Sequence, residues 1–255
     1  MSTTSAKSAP MTESTLQEYD TLLPFERKAL PEHYRRSYVA KRQAFFCNIQ
    51  HTYELWRYFQ MLDWNFQNEL DHMGRLGAQE SATPIALFSK AHAKIRIAIE
   101  LAFARCTEEA RPIMRDAIRL AVCAHRLRVD AELQQIWRSK GDSAAADASF
   151  NRTFGRPKKT TLFKGQPRLY SRWMQLGEVI AHAAPRPQTS NDEGNCKPVI
   201  FDLLQDASLI EKLTFDDCYM RMNLDANLLR NRIEAALLNE KLRREIGVSR
   251  SAEPY

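Results

Sequence analysis

The stretch IALFSKAHAKIRIAIELAFAR, residues 85–105, decides the fold class. It contains no glycine or proline, and Ile85, Phe88, Ile95, Ile99 and Ala102 recur at helical spacing. Leu87, Ile97, Leu101 and Phe103 then leave few positions polar on the remaining faces. A helix that is apolar nearly all round belongs at the centre of a bundle. Thr83-Pro84 immediately upstream suits a helix start.

Working outward, Thr107 reads as an N-cap, with Glu108 and Glu109 placed well against the helix dipole. The helix it opens is expected to run to about Lys140, with Ile113, Ala117, Leu120, Ala124, Leu127 and Ala131 as its inner stripe. Its small alanines let a neighbour approach closely. Upstream, no glycine or proline falls between Pro31 and Gly74. Phe45, Ile49, Tyr53, Trp56, Phe59, Leu62, Phe66, Leu70 and Met73 recur every three or four residues. Pro at the first turn and Gly past the end fit helix punctuation, and one helix of roughly 60 Å is expected.

Downstream, residues 141–167 change character and read as a basic connection holding at most a short helix. A further helix is expected over about 168–183, with Leu169, Trp173, Leu176 and Ile180 facing in. APRPQTSNDEGNCKP reads as a polar loop, and VIFDLL as a short strand or helical turn. Phe215, Tyr219, Met222, Ala226, Leu229, Ile233 and Ala236 step in a heptad-like pattern on a last helix ending near Gly247. That seam suits packing within the chain and equally a homodimer through helices. The expectation is an all-α bundle of four to five long helices with a basic connecting loop, one domain over 13–247 between tails 1–12 and 248–255.

Composition narrows the class. The 255 residues are 44% hydrophobic and 27% charged, ordinary for a globular protein, and eight glycines are too few for an all-β fold rich in tight turns. The five cysteines are scattered without a Cys-x-x-Cys pair, which points to reduced thiols in a cytoplasmic protein. No apolar run reaches the ~18 residues of a membrane span, and the first seventeen residues lack the apolar core of a secretory signal.

Charge is unevenly distributed. Between Asp147 and Glu178 there is no acidic residue, but there are Arg152, Arg156, Lys158, Lys159, Lys164, Arg168 and Arg172. These seven positive charges exceed the net charge of the whole chain, +6. A local positive field points to an anionic partner, a nucleic acid or an acidic protein surface. Phe154-Gly155-Arg156-Pro157 is half of the Arg-Gly-Arg-Pro core that enters the DNA minor groove, with Phe154 in place of the first arginine. Phe150, Phe154, Phe163, Tyr170 and Trp173 interleave with the charges. Aromatics so placed either stack on bases, as in single-strand binders, or anchor a solvated loop to the bundle.

Two segments resemble a group of bacterial helical proteins of unassigned function, sometimes likened to the HEPN class, many of which are RNases. FSKAHAKIRIAIELAFARCTEEARPIMRDAIRLAVCAHRL is similar to the group's paired central helices, and LYSRWMQLGEVIAHAAPRP to a later helix closing on a histidine. Together they span about residues 85–185. The group's pattern lands on Arg111, Arg115 and His182. Where it has a glutamate this chain has Arg119, and where it has a serine before the histidine this chain has Gly177-Glu178.

The HEPN RNases carry Arg-x(4–6)-His for phosphate and proton transfer without a metal. Arg119-LAVCA-His125 has that spacing, and so does Arg27-KALPE-His33, which runs through a proline. Six histidines in an arginine-rich chain yield about two such matches by chance. The resemblance therefore implies an alternative function, a metal-independent RNase with Arg119 and His125 as catalytic residues. Arg115, Arg119 and Arg126 share the side of their helix away from the apolar stripe, as a solvated face or as an anion site. Glu178 lies four residues before His182, a spacing that serves either to orient an imidazole or as a structural contact.

Glu69-Leu-Asp-His72 and His51-Thr-Tyr-Glu54 have the Glu-x-x-His form of di-iron bundles. They lie on one expected helix, about 27 Å apart, and cannot share a metal. No P-loop, dinucleotide fingerprint or nucleophile elbow occurs. No metal or cofactor is expected.

Overall fold

Alanine sets how closely the two central helices meet. In the computed structural model, which describes residues 31–75, 82–155, 157–181, 196–219 and 226–247, α3 (Ala82–Phe103) and α4 (Thr107–Val129) form an antiparallel hairpin. Ala91, Ala98 and Ala102 of α3 and Ala117, Ala121 and Ala124 of α4 are all fully buried. With no side chain beyond Cβ, they let larger neighbours such as Phe88, Ile99, Met114 and Ile118 fill the seam without voids. Each such large side chain taken wholly out of water contributes roughly 1.5–3 kcal/mol. The link between the helices is short enough to force Arg105 to φ 61°, and the Cys106 N–H returns to the Leu101 carbonyl at 2.8 Å. Cys106, not Thr107, occupies the N-cap position of α4.

The remaining helices wrap this pair: α1 (Glu32–His51), α2 (Tyr53–Arg75), α5 (Ala131–Arg138), α6 (Ala144–Phe150), α7 (Pro167–Ala181), α8 (Cys196–Tyr219) and α9 (Ala226–Ile246). α8 packs against α2, α3 and α4, α9 lies on α2, α7 on α4, and α1 on α3 and α2. No strand occurs among the described residues. The all-α class follows directly. Among the described residues six helices reach twenty residues or more, where four to five long ones were expected. No described helix is long and apolar enough to cross a membrane.

The differences have local causes. The expected 60 Å helix is broken at Thr52, whose backbone sits at φ −132°, ψ 42°. The Thr52 hydroxyl donates to the Asn48 carbonyl at 2.5 Å, and the Asn48 amide donates to the Phe103 carbonyl at 2.6 Å. A polar side chain bonding its own backbone offers the chain an alternative to continuous helix. Likewise the expected helix over 107–140 is interrupted at Asp130, which caps α5 by accepting from the Leu133 N–H at 3.1 Å. VIFDLL is neither strand nor single turn but the start of the 24-residue α8, with Ile200, Phe201, Leu203 and Leu204 buried.

Of the heptad-like seam, Phe215 and Tyr219 lie on α8 and Ala226, Leu229, Ile233 and Ala236 on α9, and Met222 lies outside the described residues. On α9 the buried positions are Leu228, Ala235, Leu238 and Leu242, while Leu229, Ile233 and Leu237 face solvent. The tails 1–12 and 248–255 lie outside the described residues.

Candidate nucleic-acid interface

The basic connection is built on aromatic anchors. Ser143 opens α6 by accepting from the Ala146 N–H at 3.1 Å, and α6 continues into a π-helical turn over Asn151–Gly155. Phe150 and Phe154 from this unit meet Trp137 of α5, with ring centroids 5.3 and 5.0 Å away. After Pro157 the chain makes a run of turns in which the Phe163 N–H reaches the Lys158 carbonyl at 3.1 Å. Phe163 is 1% exposed and packs on Tyr170 and Trp173 of α7, both at 5.4 Å. Leu162 is buried beside it in the core. These ring contacts anchor the segment to α5 and α7. The segment is a helix, a π turn and a set of turns pinned at both ends.

The cations respond to that anchoring in two ways. Arg152, Lys158, Lys159, Lys164 and Arg168 are exposed. Arg172 is turned inward. It donates from Nε and a terminal nitrogen to the two carboxylate oxygens of Asp206, at 2.6 and 3.0 Å, and from the other to Gln175 at 2.9 Å. Asp206 is fully buried on α8. Burial pushes the Asp206 carboxyl up to about 6, partly offset by Arg172, while Asp206 holds the guanidinium more firmly charged against its own burial. Arg172 thus ties α7 to α8. Arg156 lies outside the described residues.

The arginine face of α4 is likewise engaged inside the molecule. Arg111 pairs with Glu108 at 3.1 Å. Arg115 places its guanidinium 4.1 Å from the centre of the Trp173 ring and donates from Nε to the Trp173 carbonyl at 3.1 Å. Arg119 forks onto Asp116 at 2.6 and 3.0 Å, and Asp116 also takes Lys94 at 2.9 Å. Partial burial raises the Asp116 proton affinity, but Lys94 and Arg119 outweigh it and hold the carboxyl below its ordinary range. Arg126 pairs with Asp130. His125 is half-buried, six residues beyond Arg119 on the same helix. That spacing separates them by about 9 Å along the axis and about 120° around it. Glu178 is exposed on α7, and His182 lies outside the described residues.

In both Glu-x-x-His pairs the glutamate turns to a cation of α9. Glu54 meets Lys241 at 3.2 Å and Glu69 meets Arg232 at 2.8 Å. Among the described residues no three His, Cys, Asp or Glu side chains gather as metal ligands. Family models, curated proteins and solved structures offer no match to the chain. The resemblance noted above rests on its quoted motifs.

Two buried polar clusters carry no sequence signal. Arg232 bridges Glu69 and Glu211, both almost wholly buried, and lies 3.5 Å from the centre of the Phe215 ring. Burial and the neighbouring Glu211 drive the Glu69 carboxyl well above its ordinary range, against the pull of Arg232. His92 meets Asp63 at 2.7 Å while stacked on Phe66, with centroids 4.8 Å apart. The hydrogen-bonded partners are 21 to 163 residues apart, so no short motif could bring them together.

Proposed function

We propose that this chain is a nucleic-acid-binding module that holds a phosphate backbone on the connection between α5 and α7. The observation that carries this reading is the company kept by its exposed cations. Arg152, Lys158, Lys159, Lys164 and Arg168 project from one acid-free segment, anchored by the Trp137–Phe150–Phe154 and Phe163–Tyr170–Trp173 clusters. Cations on a pinned segment lose less conformational freedom on meeting phosphates than cations on a free tail. With the rings engaged in packing, binding is electrostatic and tolerant of sequence.

Salt-titrated binding to single-stranded RNA, duplex RNA and duplex DNA tests this. Affinity for duplex DNA should fall with salt at a slope of about −0.9 per phosphate contact, and neutralising the five exposed cations together should abolish it. Absence of binding to all three at low salt moves the reading to an acidic protein partner. The alternative, a metal-independent RNase, is read in the same samples. It requires cleavage products that disappear in His125→Ala.

A further inference from the structure

Ala226, Leu229, Ile233 and Ala236 of α9 step 3-4-3, the spacing with which a helix presents a seam to a second helix. Within the molecule α9 does not use them. It meets α2 with its other side, where Leu228, Ala235, Leu238 and Leu242 are buried. On that side Asn231 reaches the Met61 carbonyl and the Asn65 side chain of α2. At 3.6 residues per turn the seam lies about 180° round the axis from this buried set. The seam is open to solvent. Ala226 and Ala236 are exposed, Leu229 is 38% exposed and Ile233 61%, and Leu237 at the seam's edge is 67% exposed. Among the described residues Ile233 and Leu237 are the two most exposed large hydrophobic side chains.

The face is complementary to itself when reversed. Leu229 and Leu237 each lie four residues from Ile233, so an antiparallel pair with its twofold at Ile233 brings Leu229 level with Leu237 of the second copy. Arg230 and Glu234 flank one side of the seam, with side chains 81% and 48% exposed. The same twofold sets Arg230 within about 3 Å, measured along the axis, of Glu234 of the second copy. That places opposite charges together twice across the pair. Glu240 comes level with Ala226 of the second copy, the first residue of its α9, where the helix dipole favours a carboxylate. Parallel pairing would instead set Glu240 against Glu240. The overlap runs over residues 226–240, about 22 Å of helix. A contact of that length buries less than about 1,200 Å², which suits a reversible dimer.

We infer that the open face of α9 binds a second copy of this chain, in an antiparallel helix pair centred on Ile233 and flanked by Arg230 of each copy against Glu234 of the other.

Sedimentation equilibrium of the full chain between about 1 and 500 µM, with a reducing agent present to exclude disulfides, tests this. The expected result is a monomer–dimer equilibrium with Kd of about 10–100 µM. Ile233→Asp and Leu237→Asp should each raise Kd tenfold or more. Both positions are exposed, and an unchanged thermal transition confirms that the variants remain folded. Arg230→Glu and Glu234→Arg should each weaken self-association. An equimolar mixture of these two variants should dimerise as the parent does, because both cross-chain pairs return with their signs exchanged. The inference is overturned if the parent stays monomeric throughout, or if both aspartate variants self-associate like the parent. It is also overturned if the mixture associates no more than either charge variant alone.

Discussion

Arg115 lies across the face of Trp173 only because Gly177, one turn further along α7, has no side chain. A Cβ built at Gly177 would come within 2.9 Å of the Arg115 guanidinium. Glycine inside a helix costs about 1 kcal/mol relative to alanine, so its presence here needs a compensating contact. The cation–π stacking and the bond from Arg115 Nε to the Trp173 carbonyl supply it. Gly177→Ser displaces the flexible end of Arg115 and should destabilise the fold by about 1–2 kcal/mol in urea unfolding. In an Arg115→Ala background, Gly177→Ala should be neutral or stabilising, because the clash is gone and the helix gains propensity. A double-mutant cycle reads the coupling directly.

The Arg172–Asp206 pair ties stability to pH in an unusual direction. Asp206 titrates near 6 in the folded chain, above its ordinary 3.8, because complete burial and the nearby Asp202 outweigh Arg172. The folded state then keeps a proton that the unfolded chain releases, so this group's contribution is fully present below about pH 4. It is lost as pH rises to about 6. Asp206→Asn removes that dependence. Relative to the parent, the variant should gain up to about 3 kcal/mol between pH 4 and 7, at about 1.4 kcal/mol per pH unit, in parallel urea titrations.

Arg232 guards a larger liability. Removing one partner from a buried ion cluster leaves the others uncompensated, at a cost of about 3–5 kcal/mol. Arg232→Met leaves Glu69 and Glu211 facing each other inside the α2–α8–α9 contact. Glu69 already binds its proton more tightly folded than unfolded, and loss of Arg232 strengthens that preference. Protonation relieves the repulsion. The destabilisation should be small at pH 5 and reach several kcal/mol at pH 8, measured by thermal or urea unfolding at both.

The central hairpin was legible because its signal is local. Residues 85–105 are apolar on nearly every face, and the alanines of α4 mark a close approach whichever helix provides it. Where one helix ends inside a glycine-free run is not local in the same way. Thr52 breaks the helix with the help of Asn48, and Asn48 is fixed by a carbonyl 55 residues away. The inward face of α9 is ambiguous in the sequence for a related reason. Leu228 and Leu229 are adjacent, as are Leu237 and Leu238, so apolar spacing fits two faces equally. What selects between them is polar. Asn231 donates to the Met61 carbonyl at 3.2 Å and to the Asn65 side chain at 2.6 Å, and Arg232 reaches Glu69. The basic run stood out as composition, but nothing in it distinguishes Arg172, which enters a buried pair, from Lys164, which stays in solvent.

Anchor and platform make opposite demands on Phe163. As an anchor, the ring contributes by filling space between α7 and the connection, where it is 1% exposed. Phe163→Leu keeps most of that volume and should cost about 1–2 kcal/mol of stability. Nucleic-acid affinity at low salt should stay within twofold. Lys158→Ala and Lys159→Ala are surface changes, expected within about 0.5 kcal/mol of the parent in stability. Each should nevertheless reduce the salt slope on duplex DNA by about 0.9. If bases stack on the aromatic rings, the pattern reverses. Phe163→Leu would then lower single-strand affinity tenfold or more while the fold survives, since one base–aromatic stack contributes about 1–3 kcal/mol. Filter binding and urea unfolding on the same three variants separate the two, because only an anchor couples Phe163 to stability without coupling it to affinity.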